Sequence, residues 1–455
     1  MRVAWLELLR VVPVALVAPG FVAAGLGPSA AAAAELTLPQ VLGPVAINAA
    51  SATSDPELRV LLQQDQEIQI EASAQPLLLR GADGSRLGTL EPGQPVRLGL
   101  DGSSPTGLLL SWPAGQPMVV SELWLEPAAP EALITLQQRL FRGRLRVLRQ
   151  GDKLLAINHV ALEAYLPSVV GSEMPPSWPQ SALRAQAVAA RTYALRKRRS
   201  QEPFDLRATV ASQVYKGVGG ETPSTREAVE ATRGQVLTYQ GALIEAVFHS
   251  SSGGSTEASG ELWAQQLPYL VPVPDFDEHS PVRSWQERFD ASQLRERFPE
   301  TGGLWTLQVT SRSSSGRVRQ LRLEGPRGVL NLSGAELRQR LALRSTWIEL
   351  ELLLQAPSAA APAALKSPDG ALAGSLEPPM PPPLLPPSAM PLLLQSAASA
   401  AEPPLAALLI RGRGFGHGIG MSQWGAHGLA QRGASYTAIL RHYYPGTQIN
   451  AYRDP

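Results

Sequence analysis

The chain has 455 residues, no cysteine and a formal net charge of +1. This length allows two or three domains with a sizeable hydrophobic core. The balanced charge argues against a dedicated nucleic-acid binder, which usually carries a strong basic excess, so no nucleic-acid partner is expected. Without cysteine, disulfides and thiolate metal ligands are excluded.

The N-terminus has the pattern of a secretory signal peptide. Arg2 and Arg10 precede an apolar run at 11–26, and small residues follow at 29–34. This order predicts a signal peptide over 1–34 and export of the mature chain, with no integral membrane span after cleavage. The acidic residue and the prolines within this segment leave an uncleaved N-terminal anchor as the alternative.

The section at 55–130 is predicted to be rich in β-strands. Apolar and polar residues alternate at 67–71, and the turn-forming sequence Ala-Asp-Gly-Ser follows at 82–85. Further strands are expected at 142–147 and 153–157, which would feed a mixed core at 140–354. The expected fold class is therefore α+β.

A helix is predicted over 182–196, where residues with high helix propensity are concentrated. Ser177 is a candidate N-cap, and Pro179 suits the first turn. One face of this helix carries apolar side chains, many of them small, which would allow close packing on a neighbour: Leu183, Ala187, Ala190 and Ala194.

Composition changes at 355–406, where proline and alanine dominate. Such a stretch cannot bury a core, and we interpret it as a linker or a disordered insertion. Dense patterning returns at 407–455. This last block is too short to fold alone, so we expect it to dock onto the preceding domain and complete the core.

Glu173 is the leading candidate for a catalytic residue. Met174, two prolines and Trp178 follow it closely in the sequence. Burial against apolar neighbours disfavours the ionised carboxylate and raises its pKa, which suits a general acid near neutral pH. The alternative from the local sequence is a turn or helix lead-in.

Four motifs occur in a fixed order along the chain, and together they resemble a known family. They cover 162–179 with 185–193; 212–217; 248–257 with Trp263 and 268–270; and 412–426 with 443–447. Over roughly 55–450 the chain resembles the sporulation stage II protein D/amidase-enhancer (SpoIID/LytB) family of bacterial cell-wall proteins.

The resemblance implies peptidoglycan chemistry in the periplasm or cell wall. Relatives of the sporulation type are lytic transglycosylases that cut glycan strands stripped of stem peptides, and their catalytic glutamate matches Glu173. One carboxyl group is sufficient for this reaction, unlike the pair in most glycosidases. Glu163, in the same segment, is expected on a helix or loop surface. No cofactor is expected.

Two other functions stay open. The family's other branch implies a non-catalytic, wall-binding enhancer of an N-acetylmuramoyl-L-alanine amidase, which would make that amidase a partner. A structural envelope protein that recruits partners through its proline-rich insertion is the third hypothesis. The physiological process, sporulation included, does not follow from the resemblance.

The second motif supplies candidate substrate-binding residues. Ser212, Gln213 and Tyr215 offer hydroxyl, amide and aromatic groups that suit sugar hydroxyls and ring faces. The alternative is a turn followed by a strand.

The third motif supplies His249, Ser252, Gly253, Gly254 and Thr256 as further substrate-binding candidates. A serine nucleophile with a histidine base is disfavoured because the G-x-S-x-G elbow is missing. A glycine-rich turn that offers backbone donors to a ligand fits better. Some relatives carry cysteine and histidine metal ligands here, and without cysteine that site is not carried over.

The fourth motif adds His417, Ser422 and Gln423, which we expect to line the cleft around the sugar. Its alternating glycines would let the backbone approach a ligand closely. A zinc site built from His417, His427 and His442 is the alternative, but their spacing matches no familiar ligand pattern, and no metal is predicted.

Overall fold

The computed structural model describes residues 55–198, 201–354 and 405–453. The predicted signal peptide and nearly all of the predicted linker lie outside these residues. Several sheets and packed helices make up the described part, and the α+β prediction is confirmed. None of its helices has the length and apolar character needed to cross a membrane.

The elements follow one another along the chain in this order: β1 (Glu57–Asp65), β2 (Glu67–Ala72), β3 (Leu77–Arg80), β4 (Arg86–Leu90), β5 (Pro95–Leu100), β6 (Leu108–Ser111), β7 (Met118–Val120), β8 (Glu122–Pro127), β9 (Ile134–Leu136), β10 (Arg139–Phe141), β11 (Arg144–Gln150), β12 (Lys153–Ala161), α1 (Leu162–Glu173), α2 (Gln180–Arg196), β13 (Leu206–Arg207), α3 (Pro223–Glu230), β14 (Gln235–Tyr239), β15 (Ala242–Leu243), β16 (Phe248–His249), β17 (Ser284–Asp290), α4 (Ala291–Arg297), β18 (Thr306–Arg312), β19 (Val318–Gly325), β20 (Gly328–Ser333), α5 (Gly334–Arg340), β21 (Ile348–Leu354), β22 (Leu405–Arg413), β23 (Met421–Ser422), α6 (Gln423–Gln431), α7 (Tyr436–Tyr443) and β24 (Gln448–Ala451). Short 3-10 helices lie at Gly217–Gly220 and Ser259–Glu261.

Two sheets form the N-terminal part of the fold. The seven-stranded sheet has the order β13-β1-β12-β11-β8-β3-β4, and the six-stranded sheet has the order β10-β9-β2-β5-β6-β7. In β2 the alternation seen in the sequence is realised, because Ile68 and Ile70 are buried while Glu67 and Gln69 face solvent. The buried faces of both sheets join the main hydrophobic core.

Helix α2 runs through the middle of the helical layer and contacts α1, α3, α6 and α7. Its predicted apolar face is fully buried, and so are several alanines elsewhere on the helix, which lets neighbours pack closely on more than one side. The predicted N-cap was wrong. The Trp178 N–H donates to the Pro175 carbonyl, so Ser177 lies in a turn, and the helix begins at Gln180 after Pro179.

A second layer, with a hydrophobic cluster of its own, is formed by residues 284–354 together with β22. It contains the sheets β17-β22-β21 and β18-β19-β20 together with α4 and α5. The buried hydrophobic residues at 140–354, where a mixed core is predicted, belong to more than one cluster.

The C-terminal block joins both layers. Strand β22 lies between β17 and β21 and pairs antiparallel with each of them. The chain then continues into β23, which pairs with β16, and β24, which pairs with β14. Strands from residues 405–453 therefore belong to sheets in both layers. In this position the start of α6 lies next to the end of α1.

Candidate active site

Glu173 is the last residue of α1. The Pro175-Pro176 sequence stops the helix, because a residue before proline is restricted to extended backbone, and Met174 accordingly has φ −130° and ψ 142°. The Met174 N–H still bonds to the Val170 carbonyl at 2.9 Å and closes the last turn. The turn at 175–178 then leads into α2, so the Glu173 side chain is held where two helices meet.

Two distant segments bind the Glu173 carboxylate. The Val214 backbone N–H donates to Oε1 at 3.0 Å, and the Gln423 side-chain amide donates through Nε2 to Oε2 at 3.0 Å. These donors lie 41 and 250 positions further along the chain. Each oxygen therefore accepts one hydrogen bond, which fixes the plane of the carboxyl group.

Burial raises the pKa of Glu173 above its ordinary value of 4.5, and this effect outweighs three opposing ones. The bonds from Val214 and Gln423 and the nearby Lys216 ammonium all favour the ionised form and lower the pKa. The position at a helix C-terminus, where the helix dipole is negative, also disfavours the charge. Among the described residues that shift this pKa, Lys216 is charged and none is a second carboxylate.

An aromatic cluster joins the turn after Glu173 to helix α6. The Trp178 ring lies 4.7 Å from the Trp424 ring and 4.6 Å from the His427 ring, measured between centroids. Burial lowers the pKa of His427, so this imidazole is neutral near pH 7. Trp178 follows Glu173 closely in the sequence, and Trp424 follows Gln423 directly. Packing between the two rings therefore helps to hold Gln423 next to Glu173.

Helix α6 is set in place by tight backbone packing. The Ser422 hydroxyl accepts from the Gly425 N–H at 3.1 Å and caps the helix one residue before Gln423. A Cβ on Gly425 would lie 1.7 Å from Asp275 Oδ1 and 1.9 Å from the Tyr443 hydroxyl, so only glycine fits there. Ser422 thus holds Gln423 in place and is itself buried.

The second motif reaches Glu173 through its backbone. Gln213 is buried, with its amide donating to the Ala190 carbonyl at 3.2 Å, and the buried Tyr215 hydroxyl donates to Asn158 at 3.1 Å. The Ser212 hydroxyl accepts from the Arg207 N–H at 3.2 Å. These three side chains bind other parts of the fold, and the residue of the motif that contacts Glu173 is Val214.

The two predicted histidines lie side by side, with their ring centroids 5.3 Å apart. His417 Nε2 donates to the Phe248 carbonyl at 3.0 Å, and its Nδ1 accepts from the Ile419 N–H at 3.0 Å. His249 Nδ1 donates to the Ile419 carbonyl at 3.1 Å. Burial lowers the pKa of His417 to about 4 and that of His249 well below its ordinary value, so both are neutral and join the third and fourth motifs.

The third motif is bound by two aspartates that the sequence analysis missed. Asp275 accepts from the Ser252 hydroxyl and from Tyr443, and Asp277 accepts from the Gly253 N–H at 2.8 Å. These contacts direct the backbone donors of the glycine turn towards protein groups. The sequence Pro-Asp-Phe-Asp at 274–277 was the available signal, since carboxylates between apolar residues need buried partners.

Two further predicted residues have backbone partners. The Thr256 hydroxyl donates to the Val271 carbonyl at 3.2 Å and accepts from the Val273 N–H at 2.8 Å, while the Gly254 carbonyl accepts from the Asp275 N–H at 3.0 Å. Among the described residues, no group of three or more histidine, aspartate or glutamate side chains is arranged to hold a metal ion.

Glu163 differs from its predicted surface position. Its carboxylate is 7% exposed and forms a two-bond ion pair with the fully buried Arg191, at 2.7 and 2.8 Å. Arg191 also donates to the carbonyls of Val229 and Gln235 at 3.2 Å. A buried guanidinium needs a carboxylate partner, and this pair fixes α1 against α2.

Residues 150–239, which contain α1, Glu173 and Val214, match the family model described as SpoIID: Stage II sporulation protein. The fold and site thus define a SpoIID-domain protein. The resemblance to the SpoIID/LytB family that the sequence predicted is thereby confirmed.

Named relatives support this resemblance. The chain is 34% identical over 305 residues to the "Amidase enhancer" of Bacillus subtilis (strain 168), an alignment that covers 63% of this chain and 40% of that protein. It is 28% identical over 315 residues to "Stage II sporulation protein D" of Bacillus amyloliquefaciens and of Bacillus subtilis, covering 65% of this chain and 76% of each relative. The chain thus matches less than half the length of the amidase enhancer.

Proposed function

We propose that this protein is an exported lytic transglycosylase that cleaves peptidoglycan glycan strands, with peptide-stripped strands as the preferred substrate, in the periplasm or cell wall. Family membership and the names of the relatives support a role in the cell wall. The single observation that carries the proposal is Glu173, a carboxyl group with a raised pKa whose two oxygens are fixed by Val214 and Gln423.

Glu173 would act twice. In its protonated form it donates a proton to the glycosidic oxygen as the bond from the anomeric carbon breaks. The resulting carboxylate then accepts the proton of the muramyl 6-hydroxyl, whose oxygen attacks the anomeric carbon. The products are a 1,6-anhydro end and a new free end, and Glu173 is protonated again.

The surroundings suit this double role. A raised pKa keeps enough of the acid form for the first step, while the donors from Val214 and Gln423 stabilise the carboxylate formed by it. A carboxyl oxygen has a second lone pair, so an oxygen that accepts one hydrogen bond can still carry or receive the transferred proton. Trp178 and Trp424 offer aromatic surface for a sugar ring beside it.

The experiment is digestion of peptide-stripped glycan strands with purified protein, followed by mass analysis of the products. We expect anhydromuramyl ends with the native protein and none with Glu173→Gln. Glu131→Gln, which removes an exposed carboxylate elsewhere, is the matched control and should leave the products unchanged. Reducing ends in place of anhydro ends would contradict the proposal and indicate ordinary hydrolysis.

A second function has one observation in its favour, the similarity to a protein named amidase enhancer. In that case the protein would bind the wall and stimulate an N-acetylmuramoyl-L-alanine amidase without cutting glycan. Intact strands, together with faster stem-peptide release by an added amidase in the presence of both native protein and Glu173→Gln, would establish this function and reject the first.

A further inference from the structure

The outer face of the six-stranded sheet carries a groove of about 810 Å³, which we call the amide groove. Four glutamines line it, together with a guanidinium and an exposed leucine: Gln63, Gln69, Gln137, Gln138, Arg97 and Leu109. The opposite face of the same strands is buried in the main core. The floor of the groove is therefore formed by the strands of a sheet.

The floor of the amide groove is open. Gly99 lies in β5 opposite Glu67 of β2, and a Cβ built on Gly99 meets no atom within 4 Å. Beside it, Leu109 of β6 pairs with Gly99 and is 45% exposed. A bare backbone next to a leucine makes a small apolar area in an otherwise polar groove.

One wall of the groove is strained. Gln137 and Gln138 form the two-residue turn between β9 and β10, with φ of 50° and 61°. A turn with positive φ at both positions is a type I′ turn, for which Asn-Gly is strongly preferred. Two glutamines there cost conformational energy, and strain kept in a fold commonly marks a functional position. Neither amide has a hydrogen-bond partner among the described residues.

The charges in the groove limit the ligand. Arg97 stands opposite Gln69 and forms no ion pair with any described residue, and Gln69 itself bonds to Glu71 at 2.9 Å. The carboxylates of Glu67 and Glu71 repel a polyanion. Amides that both donate and accept suit a neutral chain of hydroxyl and acetamido groups. Arg97 suits an isolated carboxylate, and the leucine suits one face of a sugar ring.

We propose that the amide groove is a second binding site for an N-acetylated glycan strand bearing isolated carboxylates, separate from the Glu173 site. The identity of this ligand rests on the proposed function. Strand β10 connects the two sites, because it begins next to Gln138 and ends at Phe141, whose ring lies 5.6 Å from that of Tyr215. Tyr215 is adjacent to Val214, which binds Glu173. The groove and the segment that binds Glu173 are thus linked through the packing of β10.

The test measures binding without cleavage. Glu173→Gln is the parent protein, and its affinity for peptide-stripped glycan strands is measured by calorimetry. Gly99→Leu fills the groove floor, while the double change Gln137→Asn and Gln138→Gly removes both long amides and supplies the favoured turn sequence. The second variant should melt at the same temperature as the parent or higher, so lost binding could not result from unfolding.

We expect each variant to bind about tenfold or more weakly than the parent, as for the loss of a few contacts to a ligand. Gly102→Leu, which also points into open space but lies outside the groove, should bind as the parent does. Unchanged affinity in both groove variants would overturn the proposal. Equal binding of a glucan without acetamido and carboxylate groups would overturn the assigned ligand.

These outcomes are separate from those for Glu173. Weakened binding in the groove variants combined with intact glycan in the digestion would support the second site and reject the transglycosylase. Anhydro products combined with unchanged affinity in the groove variants would support the transglycosylase and reject the second site.

Discussion

The amide of Gln423 is the clearest point at which to perturb the proposed acid. Gln423→Leu keeps the approximate size of the side chain and removes the donor to Glu173 Oε2. Because that donor stabilises the ionised carboxylate, its loss raises the pKa of Glu173 further. The Val214 N–H still binds the other oxygen, so the carboxyl group keeps one of its two fixed contacts.

The size of the pKa change follows from the strength of the lost hydrogen bond between Gln423 and Glu173. A hydrogen bond to a charged group is worth about 1.5–3 kcal/mol, and the lower figure applies because Glu173 is only partly buried. A difference of about 1.4 kcal/mol is tenfold in an equilibrium. At a fixed pH on the alkaline side, the ratio of protonated to ionised Glu173 should therefore rise about tenfold.

Two measurements check this. The first is the pH profile of anhydromuramyl release, normalised to its maximum, in which the alkaline limb of Gln423→Leu should lie at higher pH than that of the native protein. The second is an NMR titration of the carbon-13-labelled Glu173 carboxyl, which needs no activity. Gln431→Leu, at the exposed end of the same helix, is the matched control. An alkaline limb and titration that stay in place or move to lower pH would refute the reasoning.

Three further predictions concern stability. Since the folded-state pKa of Glu173 is raised above 4.5, the free energy of unfolding falls as pH rises above that value, and Glu173→Gln should be more stable than the native protein at pH 8 but equally stable near pH 4, as followed by thermal melting. Glu163→Gln should cost about 3–5 kcal/mol in urea unfolding because it leaves the buried Arg191 guanidinium without its carboxylate. Gly425→Ala should lower both melting temperature and activity, since the new Cβ overlaps the neighbouring carboxylate and phenol.

Controls distinguish these effects from general damage. For the buried pair, Glu227→Gln removes a carboxylate from an exposed ion pair with Arg184 and should change stability by less than about 1 kcal/mol. For the glycine, Gly219→Ala enters open space and should be tolerated. If Glu173→Gln were equally stable or less stable than the native protein at pH 8, the argument from the raised pKa would be wrong. A neutral effect of Glu163→Gln or of Gly425→Ala on stability would contradict the argument from the buried ion pair or from the close packing, respectively.

Local sequence was sufficient for several parts of the fold. The alternation at 67–71 gave β2, the run of helix formers gave α2, and the residues after Glu173 indicated a desolvated carboxyl group. Each of these depends on neighbours a few positions away, which periodicity and composition report directly. The ordered motifs added the family resemblance, which no single segment carried.

Contacts between distant segments were much less accessible. The sequence predicts Gln423 near the sugar, but it does not reveal that the Gln423 amide binds Glu173 across 250 positions. Gln213 and Tyr215 are predicted to bind substrate through their polar groups. In the structure those groups form hydrogen bonds inside the core, and the backbone N–H of Val214 contacts Glu173. A backbone N–H is common to nearly every residue, so side-chain chemistry could not single it out.

The glycine-rich fourth motif shows why composition alone does not tell a ligand-binding segment from one that packs against the rest of the chain. Glycine allows any close approach to the backbone, by a ligand or by another part of the chain. At Gly416, where φ is +120°, a Cβ would lie 2.6 Å from Cβ of His249, so the close neighbour there is the third motif. A glycine that makes room for a ligand and one that makes room for another segment look the same in the sequence. Which of the two lies against each glycine is known only from the position of the C-terminal block in the fold. That docking brings Gln423 to Glu173. Substitutions that loosen the docked C-terminal block should therefore raise the pKa of Glu173, even where the substituted residue does not contact Glu173.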